Sequence, residues 1–188
     1  MKQKNNTREL IVDLRAVEGE GNERKFILSF SSEEPYERYF GPEILSHAPG
    51  AVDLTRLNEI GVLLFNHKRD DVVGKINRAW LENGRGNAEI EFDDDEFSEK
   101  IRRKVENKTL KGVSVGYMVE KWEDVASGET SQDGRFKGPC SIATKWTPFE
   151  ISIVSIPADA TVGVGREIEE SSGNALYERQ LEINKNLL

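Results

Sequence analysis

The sequence has little of what disulfides and metal centres require, since it holds one cysteine and two histidines in 188 residues. A lone cysteine, Cys140, excludes an internal disulfide and suits a reducing cytoplasm. With only His47 and His67 as further strong ligands, a zinc centre is not expected. We therefore predict a protein without a metal or other cofactor.

Long apolar segments are also missing. No apolar run approaches the roughly 20 residues that a membrane-spanning helix needs. Residues 1–6 are polar and lack the apolar core of a secretory signal. These features predict no membrane partner, and the net charge of −8 argues against nucleic acid as the main ligand. The same charge would suit a partner with a basic surface.

The sequence does contain a series of short segments in which apolar and polar residues alternate. A hydrophobic content of 37% and a charged content of 32% fit one soluble globular domain with a tail. We expect residues 1–8 to be disordered, residues 9–166 to form the domain, and residues 167–188 to form a helical or flexible tail. Period-two alternation predicts strands over 9–15, 25–31, 35–40, 62–66, 72–81, 87–92, 110–117 and 145–157.

Helical patterns are few and short. Pro42 suggests one helical turn over 41–45, and Asp53 can cap a short helix that ends near Glu59. The strongest pattern is 96–107, preceded by three aspartates that suit a helix N-terminus better than a metal site. Consecutive strands without βαβ alternation predict an α+β fold, with a mostly antiparallel β-barrel or sheet flanked by a few helices.

A candidate nucleophile lies in the segment 110–117, LKGVSVGY. Val113, Val115 and Tyr117 share one face of the predicted strand, and Ser114 and Gly116 share the other. A hydroxyl on such an uncrowded face is accessible to a bulky substrate. The competing interpretation is a small polar residue on a half-buried sheet.

Serine hydrolysis also needs a base and a group that orients it. His67 ends an apolar strand and is the preferred base, while His47 lies in a loop-like segment and is the alternative. Glu150 begins a very apolar strand, where a carboxylate is costly unless it is paired, and an imidazole would satisfy it. A salt bridge to Lys or Arg is the other explanation for Glu150, and Asp159 is the second candidate for the orienting acid.

A dyad of Ser114 with Lys111 is weaker. Three positions along a strand put two side chains on opposite faces.

Taken in order, these segments resemble one family. The segments are FGPEIL at 40–45, FNH at 65–67, VGK at 73–75, KGVSVGY at 111–117 and EISIVSIPAD at 150–159. Over about residues 9–166 they are similar to the prohead (capsid maturation) proteases of tailed bacteriophages. That family is held to resemble the herpesvirus assemblins, which are β-barrels ringed by helices.

The resemblance implies roles for particular residues. Ser114 matches the nucleophile, His67 the base and Glu150 the third member. Assemblins use a second histidine in the third role, and this sequence has none after the serine. Arg166 is the counterpart of an arginine that assemblins use near the oxyanion, and a surface arginine in a Gly-rich turn is the competing interpretation.

The resemblance also implies partners and a location. It predicts cleavage of scaffold and major capsid precursor proteins in the host cytoplasm, inside the assembling procapsid, and self-association as in assemblin dimers. The alternative is a non-catalytic module that binds capsid or scaffold surfaces with Ser114 inert. Hydrolysis of a small ester fits the three residues but not the family.

Overall fold

The computed structural model describes residues 5–11 and 14–155. Within these residues the chain is mostly strands, with two helices. In chain order the elements are β1 (Asn5–Ile11), β2 (Arg15–Ala16), β3 (Lys25–Ser32), β4 (Tyr36–Arg38), β5 (Gly41–Leu45), α1 (Thr55–Ile60), β6 (Val62–Phe65), β7 (Lys68–Glu82), β8 (Arg85–Phe92), α2 (Glu96–Glu106), β9 (Gly112–Val125) and β10 (Cys140–Val154).

The strands form one sheet that curls into a half-barrel. Its main path runs β1-β9-β10-β6-β7-β8-β3-β2, and β5 pairs with both β10 and β4. The ladders are antiparallel except those of β10 with β5 and of β10 with β6. The expected mostly antiparallel sheet with few helices is confirmed to this extent.

The concave side of the sheet holds the main hydrophobic core. Alternate residues of the strands supply it, as period-two alternation predicts, and Leu57 of α1 with Ile101 and Val105 of α2 add to it. The largest fully buried apolar side chains in it are Trp146, Tyr117, Phe26, Phe30, Phe92, Leu28, Leu45, Leu57, Leu63 and Ile90.

A buried polar cluster ties β1 to this core. Arg38 donates to the carbonyl of Thr7 at 2.7 Å, to the hydroxyl of Tyr117 at 2.8 Å and to the carboxylate of Glu43 at 3.2 Å. Tyr117 in turn donates to Glu43. Because buried charges need partners, this cluster joins β1, β5 and β9.

Two stretches differ locally from expectation. Of residues 1–8, expected to be disordered, residues 5–8 form the start of β1 with the side chain of Arg8 buried, and residues 1–4 lie outside the described residues. Residues 41–45 were expected to form a helical turn, but they form β5. In both cases the backbone hydrogen bonds are supplied by distant strands, β9 for β1 and β10 for β5, so pairing overrides local propensity.

The helix at 96–107 is confirmed as α2. The carboxylate of Asp95 accepts hydrogen bonds from the backbone of Phe97 at 2.9 Å and of Ser98 at 3.0 Å, so it is the N-cap. The predicted apolar stripe is only partly buried, because Phe97 is 39% exposed and Ser98 is buried in its place.

Several expectations lie outside the described residues. They concern Asp159, Arg166 and the tail at 167–188. Among the residues that the structure describes, no helix has the length and apolar character needed to cross a membrane.

Replacing the N-cap residue by alanine, Asp95→Ala, should lower the free energy of unfolding by about 1 kcal/mol, because two backbone N–H groups of α2 lose their acceptor. Urea unfolding followed by circular dichroism would measure the loss. Asp94→Ala is the matched control, since Asp94 is an exposed neighbour that does not cap α2. Equal losses in the two variants would contradict the assignment of Asp95 as the cap.

Candidate active site

His67 lies in the two-residue turn of the β6–β7 hairpin. Both turn residues have positive φ, 52° for Asn66 and 59° for His67, which is the backbone of a type I′ turn. Positive φ is uncommon in residues other than glycine, but asparagine and histidine adopt it more often than most, and this turn requires it at both positions. The turn is held to β10 by the backbone N–H of Asn66, which donates to the carbonyl of Ile153 at 2.9 Å. The carboxamide oxygen of Asn66 also accepts from the backbone of Ser155 at 2.9 Å.

The imidazole of His67 contacts Glu150. Nδ1 and the carboxylate Oε1 are 2.6 Å apart. Because an ionised carboxylate only accepts hydrogen bonds, Nδ1 carries the proton, and Nε2 of the neutral ring is the basic atom. Nε2 is buried and has no hydrogen-bond partner within the described part of the chain. A basic atom held ready in this way is what a general base requires.

The surroundings of His67 favour its charged form. The hydrogen bond to Glu150 raises the pKa of His67 above the ordinary value, partial burial opposes this, and the negative charges of Glu150 and Glu9 add to the rise. An imidazolium formed during a proton transfer would therefore be stabilised here.

Two residues determine where the Glu150 carboxylate lies, and of these only Gly116 was placed on this face from the sequence. Ser152 donates its hydroxyl to the other carboxylate oxygen, Oε2, at 2.8 Å. Gly116 leaves the space for the carboxylate, since a Cβ at this position would lie 2.5 Å from Oε1. Both residues follow the period-two pattern, Ser152 with Glu150 and Gly116 with Ser114, which is the signal that could have identified them.

Ser114 lies on β9 beside these residues. In the β9–β10 ladder it is opposite Ser152, and Gly116 is opposite Glu150, so the four share one face of the sheet. Ser114 is 0% exposed, and its hydroxyl donates to the carbonyl of Arg8 on β1 at 3.2 Å. The structure thus brings His67 and Glu150 into contact and places Ser114 on the neighbouring strand, without a hydrogen bond between Ser114 and His67 among the described residues.

The alternative base, His47, has different surroundings. Its Nε2 is 2.8 Å from the hydroxyl of Ser31, and its ring packs edge-on against Trp146. Burial lowers the pKa of His47 to about 4, which keeps the ring neutral. The contacts of His47 are made in the interior, away from Glu150 and Ser114.

The remaining sequence candidates stay predictions. Lys111 lies just ahead of β9, and Asp159 and Arg166 are outside the described residues. Within the described ranges, no three His, Cys, Asp or Glu side chains are grouped so that they could hold a metal ion.

Comparison with known proteins identifies the family to which this chain belongs. A family model described as "Caudovirus prohead serine protease" matches residues 12–174. The chain belongs to the caudovirus prohead serine protease family.

One relative of this prohead protease family member is named a major capsid protein. That protein, from Halomonas phage phiHAP-1, is 35% identical over 149 residues, which is 77% of this chain and 24% of the relative. The chain thus spans about a quarter of the length of that relative. No solved structure gave a significant match.

A methyl group at residue 116 should separate the His67–Glu150 pair. In Gly116→Ala the new Cβ would lie 2.5 Å from Oε1 and 2.8 Å from Cγ of Glu150, and 2.8 Å from the ring of Phe149, so the Glu150 side chain must shift. The pKa of His67 should then fall toward its ordinary value of about 6.5, because its main stabilising contact is weakened. Titration by NMR would measure it, with His47 as an internal reference in the same spectra. An unchanged His67 pKa would show that the pair tolerates the methyl group.

Proposed function

We propose that this chain is a serine endopeptidase that cleaves scaffold or capsid precursor proteins during phage head maturation. Ser114 attacks the scissile carbonyl, His67 takes and returns the proton, and Glu150 orients His67. The observation that carries the proposal is the contact of His67 Nδ1 with Glu150 at 2.6 Å, which leaves Nε2 as a buried acceptor without a partner. Membership of a prohead serine protease family supports scaffold and capsid precursor proteins as the substrates.

The proton relay needs one local change. The hydroxyl of Ser114 donates to the Arg8 carbonyl, so this bond must break before the hydroxyl can donate to Nε2 of His67. Hydrogen bonds between catalytic groups are often long or misaligned before substrate binds. The orientation of the resting hydroxyl is therefore compatible with a triad that is completed in the substrate complex.

These roles account for the bonds and the proton that change place during the reaction. Ser114 Oγ bonds to the carbonyl carbon as its proton passes to His67 Nε2, and the imidazolium then protonates the leaving amine. Water, deprotonated by His67, hydrolyses the acyl-enzyme and restores Ser114. Glu150 stays ionised throughout and stabilises the imidazolium. The role of Arg166 near the oxyanion and the assemblin-like arrangement of the barrel remain part of the proposal.

A second candidate function is a non-catalytic module that binds capsid or scaffold surfaces. Two observations favour it. The relative from phage phiHAP-1 is named a major capsid protein, and Ser114 is 0% exposed with its hydroxyl bonded to β1. The two candidates differ in whether the size of a capsid precursor changes when the chain is present.

Covalent labelling distinguishes them. A fluorophosphonate should modify Ser114, as mapped by mass spectrometry, and Ser114→Ala should lower kcat for precursor cleavage on the order of 10⁴- to 10⁶-fold. The matched control is Ser141→Ala on β10, whose hydroxyl bonds Asp124 away from the site and whose loss should leave labelling intact. Labelling at another residue, or normal precursor processing by Ser114→Ala, would refute the peptidase.

The rate of labelling should also depend on pH through His67. Attack needs the neutral imidazole, so the rate should fall as pH falls through the pKa of His67. Because Glu150 raises this pKa, half of the rate should be lost at a pH above the value of about 6.5 for a free imidazole. In Glu150→Gln the midpoint should move to lower pH and the maximum rate should drop. A midpoint that does not respond to Glu150→Gln would contradict the role of Glu150.

A further inference from the structure

Ser152 joins the two halves of the His67–Glu150 pair. Its hydroxyl donates to Glu150 Oε2 at 2.8 Å and accepts from the backbone N–H of His67 at 3.2 Å. The residue is 0% exposed, so water does not compete for either bond. One hydroxyl thus holds both the acid and the turn that carries the base.

We propose that Ser152 is a positioning residue for the reaction, which fixes the carboxylate of Glu150 and the backbone of His67 relative to each other. This inference rests on the proposed peptidase function. It adds a fourth side chain to the three that the sequence predicts, and that side chain acts through Glu150 and His67 rather than on the substrate.

The contacts of Glu150 show why the carboxylate needs this hydroxyl. Glu150 is 8% exposed, and its two oxygens accept from two different donors, Nδ1 of His67 and the hydroxyl of Ser152. Without Ser152, Oε2 would be a largely buried acceptor with no donor, which is costly, and rotation of the carboxylate would be the simplest relief. Such a rotation would also lengthen the bond between Oε1 and His67.

The backbone of the turn that carries His67 also depends on Ser152. His67 has a positive φ of 59°, so its backbone conformation must be held by surrounding contacts. Its N–H is bonded by Ser152, while Asn66 is bonded by Ile153 and Ser155. Loss of the Ser152 oxygen would leave the N–H of the base itself without its acceptor.

Ser152 is poorly placed to be the nucleophile. Its hydroxyl proton is donated to Glu150, and the nearest ring atom of His67 is Nδ1 at 3.5 Å. Nδ1 already carries a proton for Glu150, so it cannot accept another. Ser152 therefore faces the protonated ring nitrogen and not the basic Nε2, and Ser114 remains the proposed nucleophile.

The test uses the full chain and three variants. Ser152→Ala removes the hydroxyl, Ser152→Thr keeps it, and Ser141→Ala makes the same change at another buried serine of β10 that also bonds a carboxylate, that of Asp124. Two quantities are measured: the rate at which a fluorophosphonate labels Ser114, and the pKa of His67 by NMR.

Ser152→Ala should slow labelling roughly 10- to 100-fold, the effect of losing one hydrogen bond to a charged group. It should also lower the pKa of His67 toward the ordinary value, because the bond to Glu150 weakens. Ser152→Thr should restore both quantities to near those of the unaltered chain, and Ser141→Ala should change neither.

Other outcomes would overturn the inference. An unchanged or raised His67 pKa in Ser152→Ala would show that Ser152 does not order the pair. Equal impairment in Ser152→Thr and Ser152→Ala would show that packing, and not the hydroxyl, matters. If the unaltered chain is never labelled, the peptidase proposal fails, while the pKa of His67 still decides whether Ser152 positions the pair.

Discussion

The site depends on the register of the β9–β10 ladder. This ladder places Ser152 opposite Ser114 and Glu150 opposite Gly116, so two hydroxyls, one carboxylate and one vacant Cβ position meet on one face. A shift of β10 by one residue would turn Glu150 and Ser152 toward the core and expose Ile151 and Ile153. Burial of those apolar residues therefore stabilises the arrangement of the polar ones, and an irregularity between Pro148 and Glu150 lies where the site begins.

Beside β1 and β9, charged side chains are buried as well as apolar ones. Glu43, Arg38 and Tyr117 form a hydrogen-bonded cluster three residues along β9 from Ser114, on the opposite face of the strand, and Arg8 is buried near them on β1. Desolvation lowers the pKa of Arg8, and the nearby side chains of Tyr117 and Glu43 oppose that effect. Polar contacts thus hold β1 in the sheet. An apolar pattern in its sequence, NNTRELI, does not reveal them.

Several features were predictable from the sequence because they are local. The cap of α2 by Asp95 depends on the next three residues, and the alternation of β9 is visible in 110–117. The pairing of Glu150 with a histidine was also foreseen, since a carboxylate in so apolar a strand needs a partner. β5 was not foreseen, because its hydrogen bonds come from β4 and β10, of which β10 lies about a hundred residues away along the chain.

The sequence by itself determined the candidate site residues: one serine with small neighbours, two histidines and an acid in an apolar strand. Only the tertiary structure shows which histidine contacts Glu150, because His67 lies in a turn against Glu150 while His47 packs against Ser31 and Trp146. It also shows that Ser152 bonds Glu150 and that Gly116 leaves space for it, both of which depend on the strand that each residue faces. Side-chain chemistry is local to a residue, whereas hydrogen-bond partners are set by register between strands that are distant in the chain.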